Sequence, residues 1–342
     1  EKKMSIRTKD GNIDYKKLLI QSGLYLVLLI MLVLIIIKEP SFLSIRNFKN
    51  ILTQSSVRLI IALGVAGLIV TTGTDLSVGR QVGFSAVISA TLLQAATTAH
   101  KVYPDMQDFP LFGAIAIVML VGMIIGALNG LAVAKLNLHP FIVTMGSMTI
   151  VYGINSLYYD FAGGSPIAGF AEKYTSFAQG YINIGGFTIS YLIFYALIAT
   201  VIMWILWNKT KFGKNVFAVG GNIEAAKVSG VNVHWTLIKL YALSGIFYAF
   251  GGFLEAGRIG SATNNLGNMY EMDAIAACVI GGVSFYGGVG KISGVVTGVI
   301  LLTVINYGLT YIGVNPYWQY IIKGLIIIVA VAFDSIKYAK KK

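Results

Sequence analysis

The chain has 342 residues, of which 56% are apolar and only 12% charged, about half the charged share of an ordinary soluble domain. Its net charge of +12 would suggest a nucleic-acid partner for a soluble protein. Here the basic residues gather in tails and loops, as membrane topology requires, so no nucleic acid is expected and the lipid bilayer is the first partner. A lone cysteine, Cys278, excludes an intramolecular disulfide and reads as a buried inert thiol, and no Cys/His cluster offers a metal site.

The first apolar run, Leu18 to Ile37, carries no charge and is bracketed by Lys17 and Lys38. As a helix it rises about 30 Å, the thickness of a bilayer core. Lys38 and Glu39 follow it in place of a small-residue cleavage site, so it reads as a span and not as a cleavable leader. Nine further helical runs follow, at 57–73, 81–99, 109–134, 140–159, 189–207, 237–254, 273–288, 293–313 and 317–334. The pattern predicts an all-α polytopic membrane protein with about ten transmembrane helices, some broken or re-entrant. A cytoplasmic tail (1–17) precedes the membrane body (18–334), and a basic cytoplasmic tail (335–342) follows it. With both termini inside, most of the 26 Lys and Arg fall on the cytoplasmic side. The first outer loop is the exception, with Lys38, Arg46, Lys49 and Arg58; there "FLSIRNFKNIL" has the spacing of an interfacial helix. Trp204, Trp207, Trp235 and Trp318 fall near predicted span ends, as an aromatic belt places them.

The second run closes on "VTTGTDLSVGR". Gly73 and Gly79 permit a backbone break beside Asp75 and Ser77. A carboxylate at membrane depth costs about 2.5–3.5 kcal/mol unless it faces protein, a cavity or the interface. Asp75 therefore caps the third span, accepting from the Ser77 or Val78 amide, or stands at a gate or substrate contact; Gly73, Asp75, Ser77 and Gly79 form the candidate gate.

The longest inner loop, 208–236, carries its own helix signal: Asn222 as cap, Glu224 in the first turn and Gly230 as the closing glycine. A two-turn helix is marginal alone in water. It packs on its own protein or docks into a cytoplasmic partner, and the residues themselves leave both open. Beyond the seventh run, Glu255 and Arg258 are i, i+3 neighbours, and "IGSATNNLGNMYEMD" brings Asn264, Asn265, Asn268, Glu271 and Asp273. These residues contact a soluble partner outside or line an outer vestibule. Lys323, six residues into the last run, is expected to snorkel to the outer surface.

Catalytic chemistry is missing from the sequence. "GGVSFYGGVGKIS" resembles a phosphate loop only in part: Phe285 stands where the first glycine belongs, and Ile292 follows Lys291 where Ser or Thr is required. A proton-coupled carrier using Asp75, Glu255 and Lys323 is the alternative class.

Longer stretches carry a family resemblance. "ILTQSSVRLIIALGVAGLIVTTGTDLSVGRQVG" (51–83), "GGNIEAAKVSGVNV" (220–233) and "YEMDAIAACVIGGVSF" (270–285) resemble the sugar permease subunits of bacterial ABC importers, in the ribose/galactose branch. The resemblance runs from about residue 18 to the end. It implies a non-catalytic subunit of the bacterial inner membrane that pairs with a second copy. It implies a partner ATPase with two nucleotide-binding modules, which binds ATP and Mg in place of this chain, and a periplasmic sugar-binding protein that delivers substrate. It also implies that Gly221, Asn222, Glu224, Ala225, Ala226, Ser229 and Gly230 form a helix that engages the ATPase.

Overall fold

A computed structural model describes residues 15–185 and 187–338, so positions 1–14 of the expected N-terminal tail and 339–342 of the expected C-terminal tail lie outside the described residues. The order is α1 (Tyr15–Lys38), α2 (Ile45–Val70), α3 (Val78–Leu92), α4 (Leu111–Lys135), α5 (Pro140–Phe161) and α6 (Glu172–Gln179). A hairpin, β1 (Tyr181–Ile184) and β2 (Phe187–Ser190), leads into α7 (Tyr191–Lys209). Then come α8 (Lys211–Gly221), α9 (Ile223–Val228), α10 (Val233–Ile259), α11 (Tyr270–Ile280), α12 (Ile292–Tyr311) and α13 (Pro316–Tyr338).

Every expected run contains a helix, and among the described residues seven helices are long and apolar enough to cross a membrane: α2, α4, α5, α7, α10, α12 and α13. Two expected spans are shorter than their apolar runs. The run 81–99 stops being helical at Leu92, because the chain turns to pair with 168–171: Ala95 N donates to Gly169 O and Ala171 N to Leu93 O, both at 2.8 Å. The run 273–288 stops at Ile280, where Gly282 takes a left-handed φ of +83°. At 15 and 11 residues, α3 and α11 rise only about 22 and 16 Å. The expected interfacial helix at 42–52 is instead mostly the first two turns of α2, which starts at Ile45 with Ser44 as its cap.

Helices α2 and α10 form the buried centre. The α4–α10 contact shows why glycine is so frequent. Gly122, Gly126 and Gly130 lie on one face of α4, and a Cβ at Gly122 or Gly126 would collide with the carbonyl of Gly245 or Tyr241. Apolar side chains gain nothing by leaving lipid for a helix neighbour, so close backbone approach through small residues is what holds such pairs. The lipid-facing helices α5 and α13 leave Ile150, Leu157, Ile321 and Leu325 exposed, as a bilayer solvent permits.

Candidate functional site

At one end of the bundle α8 and α9 follow α7. Asn222 caps α9, its Oδ1 accepting from Ala225 N at 2.9 Å, and Gly230 closes it at φ +79°. Lys227 Nζ donates to Glu224 Oε1 at 2.9 Å along the outer face. Ala226 alone is buried, in a small cluster with Val219 and Val233, while Val228 is 90% exposed. Helix α8, which the sequence reading overlooked, anchors this unit. Gly220 presses on the Val70 carbonyl so closely that a Cβ would overlap it, and Gly288 N donates to the same oxygen at 2.8 Å. The end of α2, the α11–α12 loop and the α8–α9 unit therefore meet at this end.

From Val70 the chain turns back into the bundle. The left-handed residue of that turn is Thr72, at φ +60°, and neither Gly73 nor Gly79. Gly79 sits in the first turn of α3, where a Cβ would overlap Gly267 O; its role is close approach. Asp75 is fully buried. Its Oδ1 accepts from Ser77 N at 2.8 Å and from Ser77 Oγ at 2.5 Å, an Asx turn that leads into α3. Ser77 Oγ in turn accepts from Gln81 Nε2 (2.9 Å) and from Asn129 Nδ2 on α4 (3.2 Å). Asp75 Oδ2 has no hydrogen-bond partner among the described residues. The expected acceptance from the Ser77 amide is thus present, as a turn just before α3.

Toward the opposite end the chain holds a network of charges. Asp273 receives Arg58 Nη1 on Oδ2 and Lys323 Nζ on Oδ1, both at 2.5 Å. Glu255 receives Arg258 Nε at 2.8 Å and Nη2 at 2.9 Å, and Tyr270 OH donates to its Oε1 at 2.5 Å. Lys323 therefore does not snorkel; it turns inward, its side chain 11% exposed, because a buried carboxylate offers it a partner. Arg58 lies inside α2, not in an outer loop. Glu255 and Glu271 are buried, so neither presents its carboxylate on an outer surface. Trp207 likewise leaves the expected belt: it is buried against Phe217, 5.1 Å between ring centres. Cys278 is buried as expected.

A polar cavity of about 320 Å³ opens beside Asp273, between α2, the start of α11, α12 and α13. Arg80 Nη2 donates to Asn268 Oδ1 on its rim at 2.9 Å, and Arg80 Nη1 reaches Asn265 Oδ1 at 3.4 Å while its guanidinium lies over the Tyr152 ring. Asn264 Nδ2 reaches Ser156 Oγ at 3.4 Å.

A helical membrane body with one exposed capped helix at one end and an open polar cavity toward the other is the outline of a transport subunit. The family model for the branched-chain amino acid transport system / permease component matches residues 47–331. The chain belongs to this permease family. It is 66% identical over 339 residues to the galactose/methyl galactoside import permease protein MglC of Escherichia coli K12, covering 99% of this chain and 100% of that one. It is 68% identical over 322 residues to MglC of Salmonella typhimurium LT2, covering 94% and 96%. The ribose import permease protein RbsC of Escherichia coli K12 is 33% identical over 337 residues, covering 98% and 100%. No solved structure matches.

In this permease the expected residues fall into three places. Gly221, Asn222, Glu224, Ala225, Ala226, Ser229 and Gly230 are together in and around α9. Gly73, Asp75 and Ser77 form the buried turn, and Gly79 links it to the α10–α11 loop. Glu255 and Arg258 pair with each other, apart from Asn264 and Asn265, which face α5 and Arg80. Asp273, expected only as part of the outer vestibule loop, is the hub of the charge network. Its signal was available: an acidic residue at the head of an apolar run demands a cationic partner at membrane depth.

Proposed function

We propose that this permease is the membrane subunit of an ATP-binding-cassette importer for galactose and methyl galactoside, with glucose as a further cargo. A periplasmic galactose/glucose-binding protein delivers the sugar, and a separate ATPase subunit with two nucleotide-binding modules binds ATP and Mg and drives the cycle. The assembly holds two copies of the permease in the bacterial inner membrane, each with ten helical passes or half-passes and both termini cytoplasmic.

The observation that carries this reading is α9. A six-residue helix, held by its Asn222 cap and its seat on α8, offers Val228 and part of Ile223 to the surroundings at a rigid end of the molecule. That is the form of a lever awaiting a groove. Closure of the ATPase modules moves α9, which sits between α8 and α10, and α10 repacks against α4 and the Asp75 turn. Proton coupling is the less favoured mechanism, because Glu255 and Lys323 are both committed to ion pairs.

The test is to purify the permease with and without the ATPase, place each in vesicles with the binding protein, and measure labelled galactose uptake. ATP-dependent uptake only in the complete assembly is the expected result. Uptake by the permease alone, driven by a proton gradient, would overturn the reading.

A further inference from the structure

The cavity beside Asp273 has a composition that the importer reading does not by itself require. Thr303, Asn306, Tyr307 and Thr310 line it from α12. Their spacing of three and four places them on one face of a helix that is otherwise largely apolar. Thr303 lies eight residues inside the end of α12, about 12 Å along the helix, so the cavity reaches membrane depth. Polar side chains at such depth persist where they line a cavity or meet a partner. Gln54, one turn from Arg58 on α2, adds a second amide. Among the described residues neither the Gln54 nor the Asn306 side chain makes a hydrogen bond, whereas Arg58 and Lys323 beside them share the Asp273 carboxylate.

Neutral amides carry both donors and acceptors, as does each hydroxyl of a polyol. The rings of Tyr270, Tyr307 and Tyr320 add apolar faces suited to sugar C–H surfaces. The volume of about 320 Å³ falls at the lower end of the roughly 300–1,000 Å³ typical of small-ligand sites. Arg58 and Lys323 keep N–H donors beyond those given to Asp273. We propose that this cavity is a hexose-binding subsite within the permease, where the Gln54 and Asn306 amides hold sugar hydroxyls beside the Arg58–Asp273–Lys323 cluster. The proposal rests on the sugar-importer reading above. It adds that the permease itself distinguishes one sugar from another after delivery.

The test uses the complete assembly of permease, ATPase and binding protein in vesicles. Labelled galactose and methyl galactoside are supplied together, and the ratio of their uptake is measured for wild type, Gln54→Ala and Asn306→Ala. Both sugars pass through the same molecules, so the ratio does not depend on how much of a variant folds. The binding protein is the same in each preparation, so a changed ratio belongs to this chain. Loss of one hydrogen bond that differs between the two sugars shifts the ratio by about two- to tenfold. That shift in either variant is the expected result. An unchanged ratio together with an unchanged half-saturating concentration of each sugar in both variants, whether or not the rates fall, overturns the subsite and leaves the importer reading standing. Absence of ATP-driven sugar uptake by the wild type overturns both.

Discussion

Arg80 and Asn268 lie 188 residues apart in sequence and are joined by a 2.9 Å hydrogen bond. By apolar pattern the first belongs to the inner turn after α2 and the second to the outer loop after α10. They meet because both connections enter the bundle and each feeds a helix of half length, α3 or α11. Gly79 and Gly267 touch beside them with no room for a side chain. The start of α3, just after the buried Asp75 turn, is therefore tied to the rim of the polar cavity by Arg80 and by the Gly79–Gly267 contact.

Replacing Arg80 by alanine should uncouple these two regions with little cost to folding. Its hydrogen bonds are partly exposed, so the thermal midpoint of the purified chain should shift by the equivalent of about 1 kcal/mol or less. Sugar uptake by the complete assembly should fall severalfold. Unaltered uptake would mean that the Arg80 contact is only a surface link.

Asp273→Asn should be strongly destabilising. It leaves Arg58 and Lys323 facing each other around a neutral amide, and removing one partner of a buried pair costs about 3–5 kcal/mol. Partial exposure of Arg58 puts the expected value at the low end, about 3 kcal/mol. Combining it with Lys323→Leu should restore much of the thermal midpoint. A double variant no better than the single one would argue against charge imbalance as the cause.

Asp75 separates two roles by paired substitutions. Asp75→Asn keeps an oxygen for the Ser77 amide and hydroxyl, so the turn should survive. Asp75→Ala removes both bonds and strands buried donors, at about 1–3 kcal/mol. Melting curves in detergent check this order. If the asparagine variant melts normally yet fails in uptake, the carboxylate charge itself takes part in transport.

Val228→Asp should leave the isolated chain within about 0.5 kcal/mol of wild type, since the side chain is 90% exposed. Recovery of the ATPase in co-purification should nevertheless drop at least tenfold. Asn222→Ala should weaken the same capture less, by loosening the cap of α9 at about 1 kcal/mol. Equal capture by wild type and both variants would remove α9 from the proposed interface.

Much of this architecture was legible from the residues. Apolar runs located the helices, and Asn222 and Gly230 marked α9 because capping chemistry is local and has few solutions. The short helices were not legible in length, because lipid-like composition continues past Leu92 and Ile280 while tertiary hydrogen bonds and a left-handed glycine decide the ends. The charge network was missed for a related reason. Arg58, Asp273 and Lys323 sit on three different segments, and only the fold reveals that a lysine expected at the lipid boundary has a carboxylate to meet.

Helix α10 runs unbroken for 27 residues, about 40 Å, from His234 beside the Ala134 carbonyl to the Glu255–Arg258 pair. It contains no proline. If the motor engages α9 and the loaded carrier docks at the far tip, strain applied at either end enters the same beam. Linkage makes that traffic two-way: to whatever degree the motor tightens or loosens the grip on the carrier, the carrier must change the motor's affinity for nucleotide by an equal factor.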